Sequence, residues 1–109
     1  MSQPNTLAGQ VLVLKDLVTY QDGAVVSRTI VDRKIGTLTV FSFAAGEGLS
    51  EHTAPFDAVV QILDGTAEIT IAGTVYQVVA GELLIMPAHQ PHALRAVQPF
   101  KMLLTMIRA

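Results

Sequence analysis

Three histidines, His52, His89 and His92, carry the clearest chemical signal in this chain, and two of them stand three residues apart in Pro87-Ala88-His89-Gln90-Pro91-His92. Neutral imidazole is the commonest protein ligand for transition metals, and histidines on facing strands of a small barrel can close on one ion. The plainer reading of the same residues is a pair of loop histidines making hydrogen bonds. The chain contains no cysteine, which excludes a thiolate metal site, a thiol nucleophile and a disulfide framework. Any metal must therefore be held by His, Asp, Glu, backbone or water. Ser27, Ser42 and Ser50 have no Ser-His-Asp context, so a hydrolase triad is not indicated.

The elements that must position these histidines are short. From Gly23 onward the chain is punctuated by Gly36, Gly46, Gly48, Pro55, Gly65, Gly73, Gly81, Pro87, Pro91 and Pro99, which leaves no room for a long helix. Between the breakers lie β-branched and apolar runs at 24–31, 37–43, 58–63, 66–72, 75–79, 83–86, 93–97 and 101–107. Eight candidate strands in about 85 residues is the spacing of an all-β sandwich or barrel. Asp64-Gly65 and Ala72-Gly73-Thr74 are read as tight hairpins, because type I′ turns require positive φ at both central residues. In the run 66–72, Ala67, Ile69 and Ile71 share one face and Glu68 and Thr70 the other. The run 11–18 fits a buried strand or a short amphipathic helix equally well, and residues 1–10 read as a loose N-terminal arm.

The balance of the composition narrows the function classes. With 109 residues and 11.6 kDa, the chain is expected to form one domain over 1–109. Seven Lys plus Arg against nine Asp plus Glu leave a net charge of −2, which argues against a nucleic-acid partner or an anionic membrane surface. Half of the residues are hydrophobic, 15% are charged and the mean hydropathy is +0.47, the profile of a chain that buries itself. No basic-then-apolar leader pattern opens the sequence, and no apolar run approaches the roughly 18 residues of a membrane span. A soluble, cytoplasmic protein is the expectation. The runs 58–63 and 102–107 are apolar on both faces, as in strands covered on both sides. In so small a protein that pattern predicts a homodimer, with a second sheet of the same chain as the alternative cover. Gln61, opposite Ala58, Val60 and Ile62 on its strand, is assigned to such a contact.

The local sequences around the histidines resemble the two halves of a known signature. Gly46-Glu47-Gly48-Leu49-Ser50-Glu51-His52-Thr53-Ala54-Pro55-Phe56-Asp57-Ala58, running on to Gly65, resembles the first motif of the cupin superfamily, G-x5-H-x-H-x3/4-E-x6-G. Gly81 to His92 resembles the second, G-x5-P-x-G-x2-H-x3-N. The resemblance covers residues 36 to 107. It implies a small antiparallel β-barrel of jelly-roll type, the double-stranded β-helix, with one pocket in the barrel mouth. The family's metal ligands are two His and a Glu from the first motif and a His from the second. His52 and His92 stand at two of those positions. The second histidine position is Ala54, the glutamate position is Ala58, the glycine of the second motif is His89 and its final asparagine is Ala96.

A three-His-one-Glu centre is therefore not available, and a different donor set must be considered. Side-chain parity puts His52, Ala54 and Ala58 on one face and Asp57 on the other, but Pro55 interrupts the strand between them. An Asp57 swung inward would give a two-His-one-carboxylate set with His52 and His92, with His89 or Glu51 as further donors. Against this, Asp57 suits a turn and His89 tolerates the turn backbone that glycine usually takes. Zn, Ni, Mn, Fe and Cu all remain open as the divalent transition metal. Met86, Met102 and Met106, with Phe41, Phe43, Phe56 and Phe100, are assigned to core filling, with a pocket wall as the alternative. The expected function is a barrel that binds a metal ion, a small organic ligand or both through His52 and His92. The alternative is a metal-free small-molecule binder, or a structural or regulatory dimer with a vestigial pocket.

Overall fold

The short β-branched runs become eight antiparallel strands in a computed structural model that describes residues 6–108. They are β1 (Val25–Arg33), β2 (Gly36–Phe43), β3 (Gly48–His52), β4 (Ala58–Ile71), β5 (Thr74–Val79), β6 (Leu83–Met86), β7 (His92–Arg95) and β8 (Phe100–Ile107). A single 3-10 turn, Leu14–Leu17, precedes them. Residues 1–5 of the expected arm lie outside the described residues; at 6–10 the chain turns, and Gln10 Nε2 donates to the Thr6 carbonyl at 2.9 Å.

The strands form one curled sheet ordered β1-β2-β8-β4-β7-β3, with β5 and β6 also paired to β4. Strand β4 belongs to both halves of the curl. Its first part, Ala58–Gly65, pairs with β8 and, over Ala58–Gln61, with β6. Its second part, from Thr66, pairs with β5 and, over Glu68–Ile71, with β7. The result is the all-β, antiparallel jelly-roll barrel expected of the sequence.

The eight strands differ from the eight expected in two compensating ways. The runs 58–63 and 66–72 are one continuous strand, and β3, whose sequence Gly-Leu-Ser-Glu-His has no apolar run to announce it, is an additional one. The expected Asp64-Gly65 hairpin does not form. Gly65 has φ +74°, but Asp64 keeps negative φ, so the pair cannot make a type I′ turn. Instead the register against β8 shifts between Ile62 and Asp64, and the strand bends through a bulge. The turn from β5 to β6 follows this corner: Gly81 N–H donates to Ile62 O at 2.9 Å and Ala80 N–H to Gly65 O at 3.1 Å. The other expected hairpin is present, with Ala72 and Gly73 at φ +47° and +84° between the paired Ile71 and Thr74.

Alternation around the corner sends one face of each half inward. Ala58, Val60 and Ile62 meet Ala67, Ile69 and Ile71, with Phe43, Phe100 and Met102 between the two walls. Phe43 and Phe100 stack with ring centroids 4.4 Å apart. Gln61 faces outward and is exposed. The outer face of β2 and β8 is covered by the chain itself: Val18, Leu14 and Leu17 pack on Val40, Leu103 and Leu63. This N-terminal strap is pinned by polar bonds. Tyr20 Oη donates to Asp64 Oδ2 at 2.6 Å, Ser42 Oγ to Thr19 O at 3.1 Å and Lys101 Nζ to Lys15 O at 2.7 Å, with the ammonium 4.9 Å from the Tyr20 ring centre. Burial, then the hydrogen bond and negative charge of Asp64, push the Tyr20 hydroxyl above its ordinary range. The apolar second face of β8 at Leu103 thus has a cover within the chain.

Gly65 cannot carry a side chain for two separate reasons. Its backbone is left-handed, and a Cβ there would run into the Pro99 carbonyl and Phe100. Gly73 shares the left-handed backbone, but a Cβ there meets nothing within 4 Å. The left-handed penalty alone is about 1–2 kcal/mol. Chemical denaturation of Gly65→Ala is expected to show a loss clearly larger than that of Gly73→Ala; equal losses would contradict the close approach at the corner.

Candidate functional site

His52 faces His92 because β3 carries one extra residue, and its ring stays exposed at the cavity mouth while His92 is buried. Gly48 pairs with Arg95 and Leu49 with Leu94, but His52, not Glu51, stands opposite His92, the register slipping between Leu49 and His52. Strict alternation from the inward Leu49 would point His52 to solvent. The bulge instead turns it onto His92, which pairs on its other side with Ile71 of β4 and is 2% exposed.

The two rings meet edge to face, with centroids 4.3 Å apart and planes at 76°, and their Nε2 atoms lie 3.0 Å apart. The tautomers follow from the partners. His52 Nδ1 is 2.8 Å from the Ser50 carbonyl, which can only accept, so Nδ1 carries the hydrogen and Nε2 is the ring nitrogen that can present a lone pair. His92 must then donate from Nε2, which leaves its buried Nδ1 with no hydrogen-bond partner. Burial first, and the neighbouring His52 second, hold the His92 pKa below its ordinary 6.5, against a weaker opposing pull from the Gln90 backbone. His92 is a neutral, desolvated imidazole.

The pair opens on a cavity of about 210 Å³. Its walls are Ala54, Ala58, Met86, Met102, Met106 and Leu49, Leu94 and Leu104, so the two imidazoles are its only nitrogen donors from side chains and no carboxylate lines it. The methionines fill the core, as assigned from sequence, with Met86 and Met102 inside the buried cluster and Met106 packed against it, and the same three residues form part of this wall; the inward parity of β6 and β8 is the signal that turns them there.

The other candidate donors are elsewhere. Asp57 does not swing inward. It is exposed, borders an outer cleft with Phe56, Val59 and Ile85, and its Oδ1 accepts the Ala88 N–H at 2.8 Å. His89 sits exposed in the 87–90 turn at φ +66°, and its N–H donates to Ala54 O at 2.8 Å. These two bonds clamp the turn to the 54–57 segment, so both residues shape the mouth from outside. Glu51 is exposed on β3. Among the described residues no group of three or more His, Cys, Asp or Glu is placed to hold a metal.

Comparison with known proteins agrees with this architecture. The family described as Cupin domain matches residues 39–107. The chain belongs to the cupin family. Among solved structures, a conserved protein of unknown function from Streptococcus pyogenes is 42% identical with a TM-score of 0.91, over 100% of this chain and 96% of that one. A cupin superfamily protein from Desulfitobacterium hafniense is 29% identical with a TM-score of 0.90 over 100% of both chains. A cupin 2 conserved barrel domain protein from Leptotrichia buccalis is 38% identical with a TM-score of 0.83, over 85% of this chain and 45% of that one. No curated protein matches the chain.

The cupin fold implies a divalent metal, and the side chains fit that implication only in part. Two Nε2 atoms 3.0 Å apart stand a few tenths of an ångström closer than the roughly 3.4 Å of two nitrogens each about 2.1 Å from one tetrahedral ion. The Ser50 carbonyl supplies the outer-shell acceptor that orients a ligating histidine. Ala54 and Ala58, in contrast, supply no donor, so the family's four-ligand centre is not built in this cupin.

The buried His92 makes the metal-free protein sensitive to acid. Because its folded pKa lies below 6.5, the unfolded chain takes up the proton first as pH falls. Its stabilising contribution is complete above 6.5 and is lost as pH drops through the folded value. Urea unfolding between about pH 8 and pH 5 is expected to show a steeper decline for the wild type than for His92→Leu; parallel declines would contradict the assignment.

Proposed function

We propose that this cupin binds a transition-metal ion in its barrel mouth with His52 and His92 as the nitrogen ligands. The observation that carries this reading is the convergence of two Nε2 atoms to 3.0 Å, one of them a fixed lone pair. A bound ion would act as a Lewis acid with open positions for a small ligand. The chain's own contributions are separate from that chemistry. Ser50 holds the His52 ring in its tautomer, burial keeps His92 neutral and so able to donate its lone pair, and the apolar wall lines the cavity behind them. In the proposed bound state His92 carries its hydrogen on Nδ1, next to the Gln90 backbone, which relieves the atom left unpartnered in the metal-free pair. A cavity of about 150 Å³ accommodates benzene, so about 210 Å³ suits a ligand of roughly six to ten non-hydrogen atoms.

A second reading rests on the wall itself. Eight of the ten lining residues are apolar, which also suits a metal-free pocket in which the two imidazoles bond the carbonyl or carboxylate of a small organic ligand. Elemental analysis decides between them. Untagged protein purified without chelator, then reconstituted with Zn, Ni, Mn, Fe and Cu in turn, is expected to hold close to one ion per chain, lost in folded His52→Ala and His92→Ala. Absence of any ion before and after reconstitution would overturn the metal reading in favour of the organic ligand.

A further inference from the structure

We infer that the ion this mouth selects is monovalent copper, with the thioethers of Met86 and Met106 completing the shell begun by His52 and His92. The inference rests on the proposal that the histidine pair binds a metal and adds its identity and two further ligands.

The register of the sheet places the two methionines on either side of Ala58. Ala58 of β4 is paired with Met86 of β6 on one side and with Met106 of β8 on the other. Ala58 and Met86 are 2% and 3% exposed, and all three residues border the cavity that His52 and His92 open on. Neighbouring strands stand about 4.8 Å apart, so Met86 and Met106 flank a position where Ala58 offers only a methyl group. Of the four methionines in the sequence, Met1 lies outside the described residues and the other three all line this one cavity, Met102 deeper along β8 opposite Ile62. An apolar wall needs no sulfur, since leucine fills the same volume.

Two physical arguments choose the ion. The first is softness: the cavity offers imidazole nitrogen and thioether sulfur but no carboxylate. Soft sulfur ligands select Cu(I) and Zn(II), whereas Mg, Ca and Mn require oxygen. The second is charge. Every donor is neutral, so the ion's whole charge would be buried uncompensated, and the cost of burying it scales with its square. A monovalent ion incurs about a quarter of the desolvation penalty of a divalent one.

The test is an anaerobic titration of the full chain with tetrakis(acetonitrile)copper(I) against bicinchoninate, a parallel Zn(II) titration, and copper K-edge absorption of the loaded protein. The variants are Met86→Leu, Met106→Leu, their combination and His52→Ala, with circular dichroism to confirm folding. Leucine for methionine is close to volume-conserving, and either single variant serves if the pair fails to fold. The expected result is one Cu(I) per chain, bound more tightly than Zn(II), with sulfur scatterers in the absorption spectrum. Each leucine should weaken Cu(I) by at least about 10–100-fold, the loss that even outer-shell partners of a metal produce, and leave Zn(II) affinity unchanged. Cu(I) binding lost in His52→Ala but unaltered in the leucine variants would overturn the inference and leave the histidine reading standing. A preference for Zn(II) would do the same. No ion bound by the wild type would overturn both.

Discussion

One strand has to serve two sheets, and the place where β4 bends decides what the barrel can hold. Gly65 permits the bend because its backbone is left-handed and its missing side chain lets the Pro99 carbonyl approach. From that corner the two halves of β4 rise as opposite walls. Ala58, at the start of the strand, stands between Met86 and Met106. Ile71, at its end, stands beside His92. The cavity is the space between those ends, and the Phe43–Phe100 stack and its neighbours fill the closed end below it. A corner shifted by one residue would reverse the faces of one half and carry its inward side chains outside.

A second irregularity completes the mouth. The bulge in β3 delivers His52 to His92 against the alternation that Leu49 sets. The pairing has a cost, since it leaves a buried ring nitrogen of His92 without a partner, and such an atom typically costs about 1–3 kcal/mol. Structures tolerate an atom of this kind at sites that do something. Here the unpartnered nitrogen and the tautomer fixed by Ser50 have one common consequence: two imidazoles hydrogen-bonded Nε2 to Nε2 at the mouth of a nonpolar cavity. The 87–90 turn, tied to the 54–57 segment through Asp57 and His89, supports that arrangement from outside.

Much of this was legible in the sequence, for identifiable reasons. Glycines and prolines at short intervals with β-branched runs between them announced an all-β fold, and the period-2 pattern of Ala67, Ile69 and Ile71 placed the core face correctly. The two motif-like stretches pointed to His52 and His92 and to the two alanines that depart from the family pattern. What was not legible were the departures from regular geometry. Asp64-Gly65 has the composition of a hairpin, and only the pairing of β4 with both β8 and β5 shows that the strand continues. β3 is polar and short because it is an edge strand, which hides it from any hydrophobic pattern. Asp57 was open to an inward reading because Pro55 erases parity, and a long-range bond to Ala88 decides its direction. Parity within β6 and β8 turns the methionines inward, but only the strand register shows that they share one wall.

The convergence of the two imidazoles is the claim on which the rest of the account depends, and their tautomers report on it directly. Long-range proton–nitrogen NMR of the metal-free protein, with nitrogen-15 in the histidine rings and spectra taken above the His92 transition, assigns each ring hydrogen. The account predicts His52 protonated on Nδ1 and His92 protonated on Nε2, with the Nε2 hydrogen coupled to its neighbour. A His52 ring protonated on Nε2 would contradict it, because the lone pair that the mouth depends on would then be absent.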